Sequence, residues 1–161
     1  MFYTYFVSFF GHRDIPYFYK YESKIEDIVY KAINANPYVE FLVGRDGDFD
    51  QLVSSVVQKA KRNVGSAHCG LTWVMPYDKA EYTKNAEDYD KYYDSVEICS
   101  ASVKAHPKAA IQIRNKDMVD RSDLVVFFVE RNYGGAYQTM KYALKQGKDI
   151  INIAEDAPKD F

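Results

Sequence analysis

Apolar and polar positions alternate along this chain in blocks of two kinds. The first block, Tyr3 to Phe10, is an unbroken β-branched and aromatic run that stops at Gly11. Its composition and length predict a strand buried on both faces. From Tyr19 to Ala35 the pattern changes: Ile25, Ile28, Val29, Ala32 and Ile33 share one helical face, and Asn36-Pro37 ends the run. Val39 to Val43 is a second strand, followed by the polar segment GRDGDFD. Leu52, Val53, Val56, Val57 and Ala60 then mark a second amphipathic helix, and Leu71 to Met75 a third strand closed by Pro76.

The stretch from Tyr77 to Tyr93 is polar and tyrosine-rich. It predicts a short helix near Ala86 to Tyr93 or a lid, and long connections in compact domains are often functional. Val96 to Ile98 has the makings of a short strand. Pro107 to Val119 is helical, with Pro107 in the first turn. Leu124 to Val129 is a strand, Ala136 to Gln146 a helix ended by Gly147, and Ile150 to Ile153 the last strand. Strands alternating with helices imply an α/β, Rossmann-like three-layer fold, a mostly parallel sheet of about five strands with helices on both faces. Residues 1–161 are expected to form one domain, with a polar insert near 77–106.

Composition narrows the classes of function. The chain is 47% hydrophobic and 27% charged, as a globular protein should be. Its 21 basic and 23 acidic residues leave a net charge of −2, so a broad grip on nucleic acid is not expected. Phe2 to Phe10 is too short to span a membrane, and no basic leader precedes it. Cys69 and Cys99 form neither a disulfide framework nor a metal-ligand spacing, which suits two free thiols in a cytoplasmic setting. No metal or cofactor is expected; a homo-oligomer is left open.

In open α/β sheets ligands bind beyond the carboxyl ends of the strands, so the polar clusters there carry the candidate chemistry. Gly11-His12-Arg13 follows the first strand. Gly allows a sharp turn, Arg offers a fork matching phosphate, and His12 can donate to the same anion or move a proton. The bland alternative is that His12 and Arg13 tie loops together. In GRDGDFD, Gly44 and Gly47 flank the turn, and Asp48 is placed to cap the following helix. Asp46 and Asp50 suit ribose hydroxyls, and Phe49 a core position. Arg114 and Asn115 lie near one helical face with Met118, either toward a ligand or as an ordinary amphipathic helix with Arg114 and Lys116 solvated. Gly134 and Gly135 open a helix after a strand, where free N–H groups and the helix dipole favour an anion. No Gly-Lys-Ser/Thr follows, so this is not a Walker loop.

These four clusters, in this order, resemble the SLOG superfamily, which joins the DNA-processing Smf/DprA proteins with the LOG-type nucleotide phosphoribohydrolases. The likeness is strongest to small stand-alone bacterial and phage members, and it rests on FFGHRDI, FLVGRDGDFD, AAIQIRNKDMVDRSD and SDLVVFFVERNYGGAYQTMKYALKQGKDIINI. It implies a nucleotide or nucleotide-derived ligand lined by Gly11, Arg13, Gly44, Gly47, Arg114, Asn115, Gly134 and Gly135. The LOG-type hydrolases carry a Pro-Gly-Gly-x-Gly-Thr-x-x-Glu motif whose Glu helps break the N-glycosidic bond. Aligned on the glycine pair, that position is Lys141 here. Glycoside chemistry needs a carboxylate near the departing sugar. The helix likewise lacks the Glu that a nucleoside deoxyribosyltransferase would use as nucleophile. Binding without catalysis is therefore the leading expectation. An N-glycosidic enzyme using Asp46, Asp48 or Asp50 is the alternative, and an interaction protein with a vestigial pocket is the third.

Overall fold

A computed structural model describes residues 3–159. Six strands form one sheet, β1 (Thr4–Gly11), β2 (Tyr38–Val43), β3 (Cys69–Met75), β4 (Ser95–Ile98), β5 (Leu124–Phe128) and β6 (Asp149–Asn152). Their order is β4-β3-β2-β1-β5-β6, and every neighbouring pair is parallel. The strand beyond the five expected is β4, whose four residues SVEI sit at an edge and are partly exposed. The helices are α1 (Glu22–Ala35), α2 (Asp48–Val64), α3 (Ala80–Lys84), α4 (Ala86–Tyr92), α5 (Pro107–Arg121) and α6 (Gly135–Lys145).

The period-two alternation of the strands separates two cores. Val7, Phe9, Phe41, Leu71, Trp73 and Phe128 face α1 and α2. Phe10, Leu42, Val74, Val125 and Phe127 face the other way, with Met118 of α5 and Met140 of α6. Because both faces are covered, the strands read as continuous apolar runs rather than alternating ones. No helix among the described residues is long and apolar enough to cross a membrane.

Most boundaries move by a residue or two, and three differences bear on the site's surroundings. Phe18–Tyr21 is a 3₁₀ turn, so α1 starts at Glu22. Asp48 is the first residue of α2 and caps nothing; its carboxylate accepts from the Ile15 N–H across the loop after β1, at 3.1 Å. Helix α5 runs on to Arg121, two residues beyond the expected end at Val119.

The tyrosine-rich segment is pinned rather than open. Fully buried Trp73 meets the rings of Tyr82, Tyr89 and Tyr93 at 5.9, 5.1 and 5.4 Å. The Arg45 guanidinium lies 4.9 Å from the centroid of Tyr89 and donates to Glu81 and to the Tyr93 hydroxyl. Helices α3 and α4 are thus fastened over β3 by stacking and by one arginine.

Candidate cleft at the sheet's switch point

Strand β1 lies between β2 and β5, and the chain leaves it in opposite directions on its two sides. Such a reversal opens a crevice at the carboxyl ends of the strands. A cleft of about 290 Å³ lies there. From the loop after β1 it is lined by Gly11, His12 and Arg13, and from the loop after β2 by Gly44 and Asp46. Asp50 enters from α2, Arg114 and Asn115 from α5, and Gly134 and Gly135 from the start of α6.

Gly47 is the one candidate outside the lining. A Cβ there would run into the backbone of Arg13, so this glycine lets two loops touch. The Asp48 N–H donates to the Arg13 carbonyl at the same contact, at 2.8 Å. Gly44 makes room in another way: a Cβ on it would crowd Asp50, Arg114 and Asp46.

The floor is a closed polar network. Arg114 is buried; its Nε donates to Asn115 Oδ1 at 2.9 Å, Nη1 to the Val74 carbonyl at 2.8 Å and Nη2 to Asp46 Oδ2 at 3.0 Å. Asp46 also pairs through Oδ1 with Lys79 at 2.9 Å. Three of the five N–H donors of Arg114 are therefore spent within the protein. It is neither the solvated arginine of an amphipathic helix nor a free anion clamp. Asn115 extends the network: its Nδ2 donates to Thr139 Oγ1 at 3.1 Å, and that hydroxyl donates to the Gly135 carbonyl at 2.8 Å. The start of α6 is held from below by this relay.

The two carboxyls of the floor are driven apart. Burial pushes Asp46 up, but Arg114 and Lys79 outweigh it and hold its carboxyl below the usual range. Asp50 accepts from the Asp46 N–H, at 3.0 Å. Burial, partly offset by that bond, and the neighbouring Asp46 charge raise it from 3.8 to about 6. Well below its ordinary value of 3.8, Asp50 is neutral in both folded and unfolded chains. As pH rises toward 6 the unfolded chain releases this proton first, so the native state loses stability across that window. Asp50→Asn removes the loss and keeps an acceptor for the Asp46 N–H. It is expected to stabilise the protein by about 1–3 kcal/mol at pH 7, with no difference near pH 3.5. Melting curves of both proteins from pH 3.5 to 8 check this.

His12 serves as a tie. It is buried, and its Nε2 accepts from the Glu130 N–H at 3.1 Å, joining the loops after β1 and β5. Burial, with the nearby Arg131 charge, lowers it to about 4. At neutral pH the ring is uncharged and its proton sits on Nδ1. It brings no positive charge to an anion.

The positive charge lies at the α6 end. Arg131 lines the cleft, its Nε is buried without a hydrogen-bond partner, and its guanidinium lies 5.2 Å from the Tyr133 ring centroid. The side chain of Arg13 is exposed and has no polar partner among the described residues. Gly134 adopts φ 95, a left-handed conformation that only glycine takes without strain. Beyond it, the N–H groups of Gly135 and Ala136 have no acceptor among the described residues. Arg131 was missed in the sequence because it stands in irregular chain with no spacing to mark it. Its one signal is its place, two residues beyond the apolar run and three before Gly134.

Among solved structures, that of DNA processing protein A (DprA) from Streptococcus pneumoniae superimposes with a TM-score of 0.64 over 91% of this chain, at 16% identity. The likeness is one of fold. The present chain spans about half of that protein, 49% of its length. No family model matches the sequence, and no curated protein does. The shared sheet places the cleft at the switch between β1 and β5.

Proposed function

We propose that this chain binds a nucleotide or nucleotide-derived small molecule, with a phosphate at the start of α6. One observation carries the reading. Two free backbone amides, Gly135 and Ala136, open a helix in the cleft where Arg131 and Arg13 hold the only lining guanidinium groups not spent on the floor network. A helix N-terminus beside arginine is the standard physical solution for a phosphate. The floor has no such excess of positive charge, since the charges of Arg114 and Lys79 are matched by Asp46 and, above pH about 6, by Asp50. That leaves the α6 end to hold phosphate.

The similar protein's name speaks of DNA processing, but a net charge of −2 gives this chain no excess of cations to match a polyphosphate backbone. A cleft of about 290 Å³ suits the phosphate end of a small molecule better than a polynucleotide strand. The test is thermal shift against nucleoside mono-, di- and triphosphates and cyclic and ADP-ribose derivatives at pH 7. Ligand at a hundred times its Kd stabilises by about 2.7 kcal/mol. A folded sample that responds to none of them overturns the reading.

Asp50 favours one second reading, hydrolysis of an N-glycosidic bond. A carboxyl that keeps its proton to about pH 6 in a cleft is suited to protonate a leaving group. Asp48 does not line the cleft, and Asp46 is held in its charged form by two cations, so Asp50 is the best placed of the three. Free base released from nucleoside monophosphates by the native protein, and lost in Asp50→Asn, would decide for it.

A further inference from the structure

A second groove, of about 480 Å³, adjoins the cleft, and Arg131 lines both. Glu130, Asn132, Tyr133, Pro158 and Lys159 complete it. The cleft alone, at about 290 Å³, lies at the lower end of what holds a drug-sized ligand. It accommodates a phosphate and part of a sugar, and the remainder of a nucleotide needs an exit. Tyr133 stands beside that exit with 61% of its surface exposed, and its ring is packed by the Arg131 guanidinium at 5.2 Å. An exposed tyrosine held in orientation by an arginine offers a flat apolar face that water alone covers. Asn132 brings an amide that can donate and accept, and Lys159 a cation at the rim.

We infer that Tyr133 and Arg131 form a base-stacking subsite, taking the purine or pyrimidine ring of a nucleotide whose phosphate lies at the start of α6. The inference rests on the reading above and adds where the base goes. On this arrangement the sugar crosses Arg131, and the floor carboxylates face the phosphate's far side. Stacking tolerates any base, because each has a π-face. The subsite therefore discriminates between a nucleotide and a sugar phosphate more than among nucleotides.

The experiment is calorimetric titration of AMP, GMP and ribose 5-phosphate into the native protein, Tyr133→Ala and Tyr133→Phe. AMP and GMP are expected to bind about tenfold more tightly than ribose 5-phosphate. Tyr133→Ala should bring both nucleotides down to the sugar-phosphate level and leave ribose 5-phosphate unchanged, while Tyr133→Phe retains the preference. Tyr133 is exposed, so its variants should fold as the native chain does. Nucleotides no tighter than ribose 5-phosphate, or undiminished AMP affinity in Tyr133→Ala, overturn the subsite and leave the phosphate site standing. Failure of all three probes to bind overturns both.

Discussion

Arg114→Ala is expected to lower stability by about 3–5 kcal/mol, a fall in Tm of roughly 6–15 °C at pH 7. The side chain is buried at the centre of the floor and joins α5 to the Val74 carbonyl, to Asp46 and to Asn115. Its removal leaves the Val74 carbonyl and Asn115 Oδ1 without these donors. It also leaves Asp46 with Lys79 as its single cation. Losing one partner of a buried pair is costly because the other charge stays behind. Lysine is not expected to rescue it, since a point charge cannot meet three acceptors in three directions. Thermal melts of the alanine and lysine variants measure this directly. A change in Tm under about 2 °C for alanine would show that the floor does not hold the cleft together.

Arg131→Ala is expected to do the reverse, sparing the fold and weakening ligand. Among the described residues it meets the Tyr133 ring and acts by charge on His12, and its Nε has no hydrogen-bond partner. An exposed cation–π contact contributes about 0.5–1 kcal/mol, so Tm should move by no more than a few degrees. A charge-assisted bond to phosphate contributes about 1.5–3 kcal/mol, which makes AMP bind roughly 10- to 150-fold more weakly. Calorimetry with native protein and variant reads the ratio. The same substitution relieves His12 of a neighbouring positive charge, so the imidazole should titrate at higher pH than about 4, visible in its ring-proton shifts.

Most of the layered fold was legible because parallel strands covered on both faces are written as apolar runs. The Leu124–Phe128 run that became β5 is one such stretch, and the Ile25, Val29, Ala32 and Ile33 face of α1 is its helical counterpart. Strand β4 was faint because an edge strand of four residues needs no apolar signature. The packing of Tyr82, Tyr89 and Tyr93 on Trp73 depends on contacts 9 to 20 residues apart, which tyrosine content alone does not reveal. The glycines and loops of the cleft were legible from their places after strands. The roles within it were not. Arg114 meets Asp46 across 68 positions, and His12 meets Glu130 across 118, so local pattern could not separate a ligand-facing cation from a floor tie. Gly47 and Gly44 look alike in GRDGDFD, yet only Gly44 lines the cleft. Arg131 belongs to no pattern and became visible only when the fold set it beside Gly134.

The central claim is that ligand phosphate is received by the Gly135 and Ala136 amides. The direct measurement is a titration of ¹⁵N-labelled protein with AMP, followed by amide cross-peaks. Gly135 and Ala136 should move downfield and saturate with one dissociation constant as their N–H groups gain an acceptor. Gly65, which ends α2 at the opposite edge of the sheet, should stay in place. Saturable shifts elsewhere with Gly135 and Ala136 unmoved, or no saturable shift in a folded sample, would contradict the account.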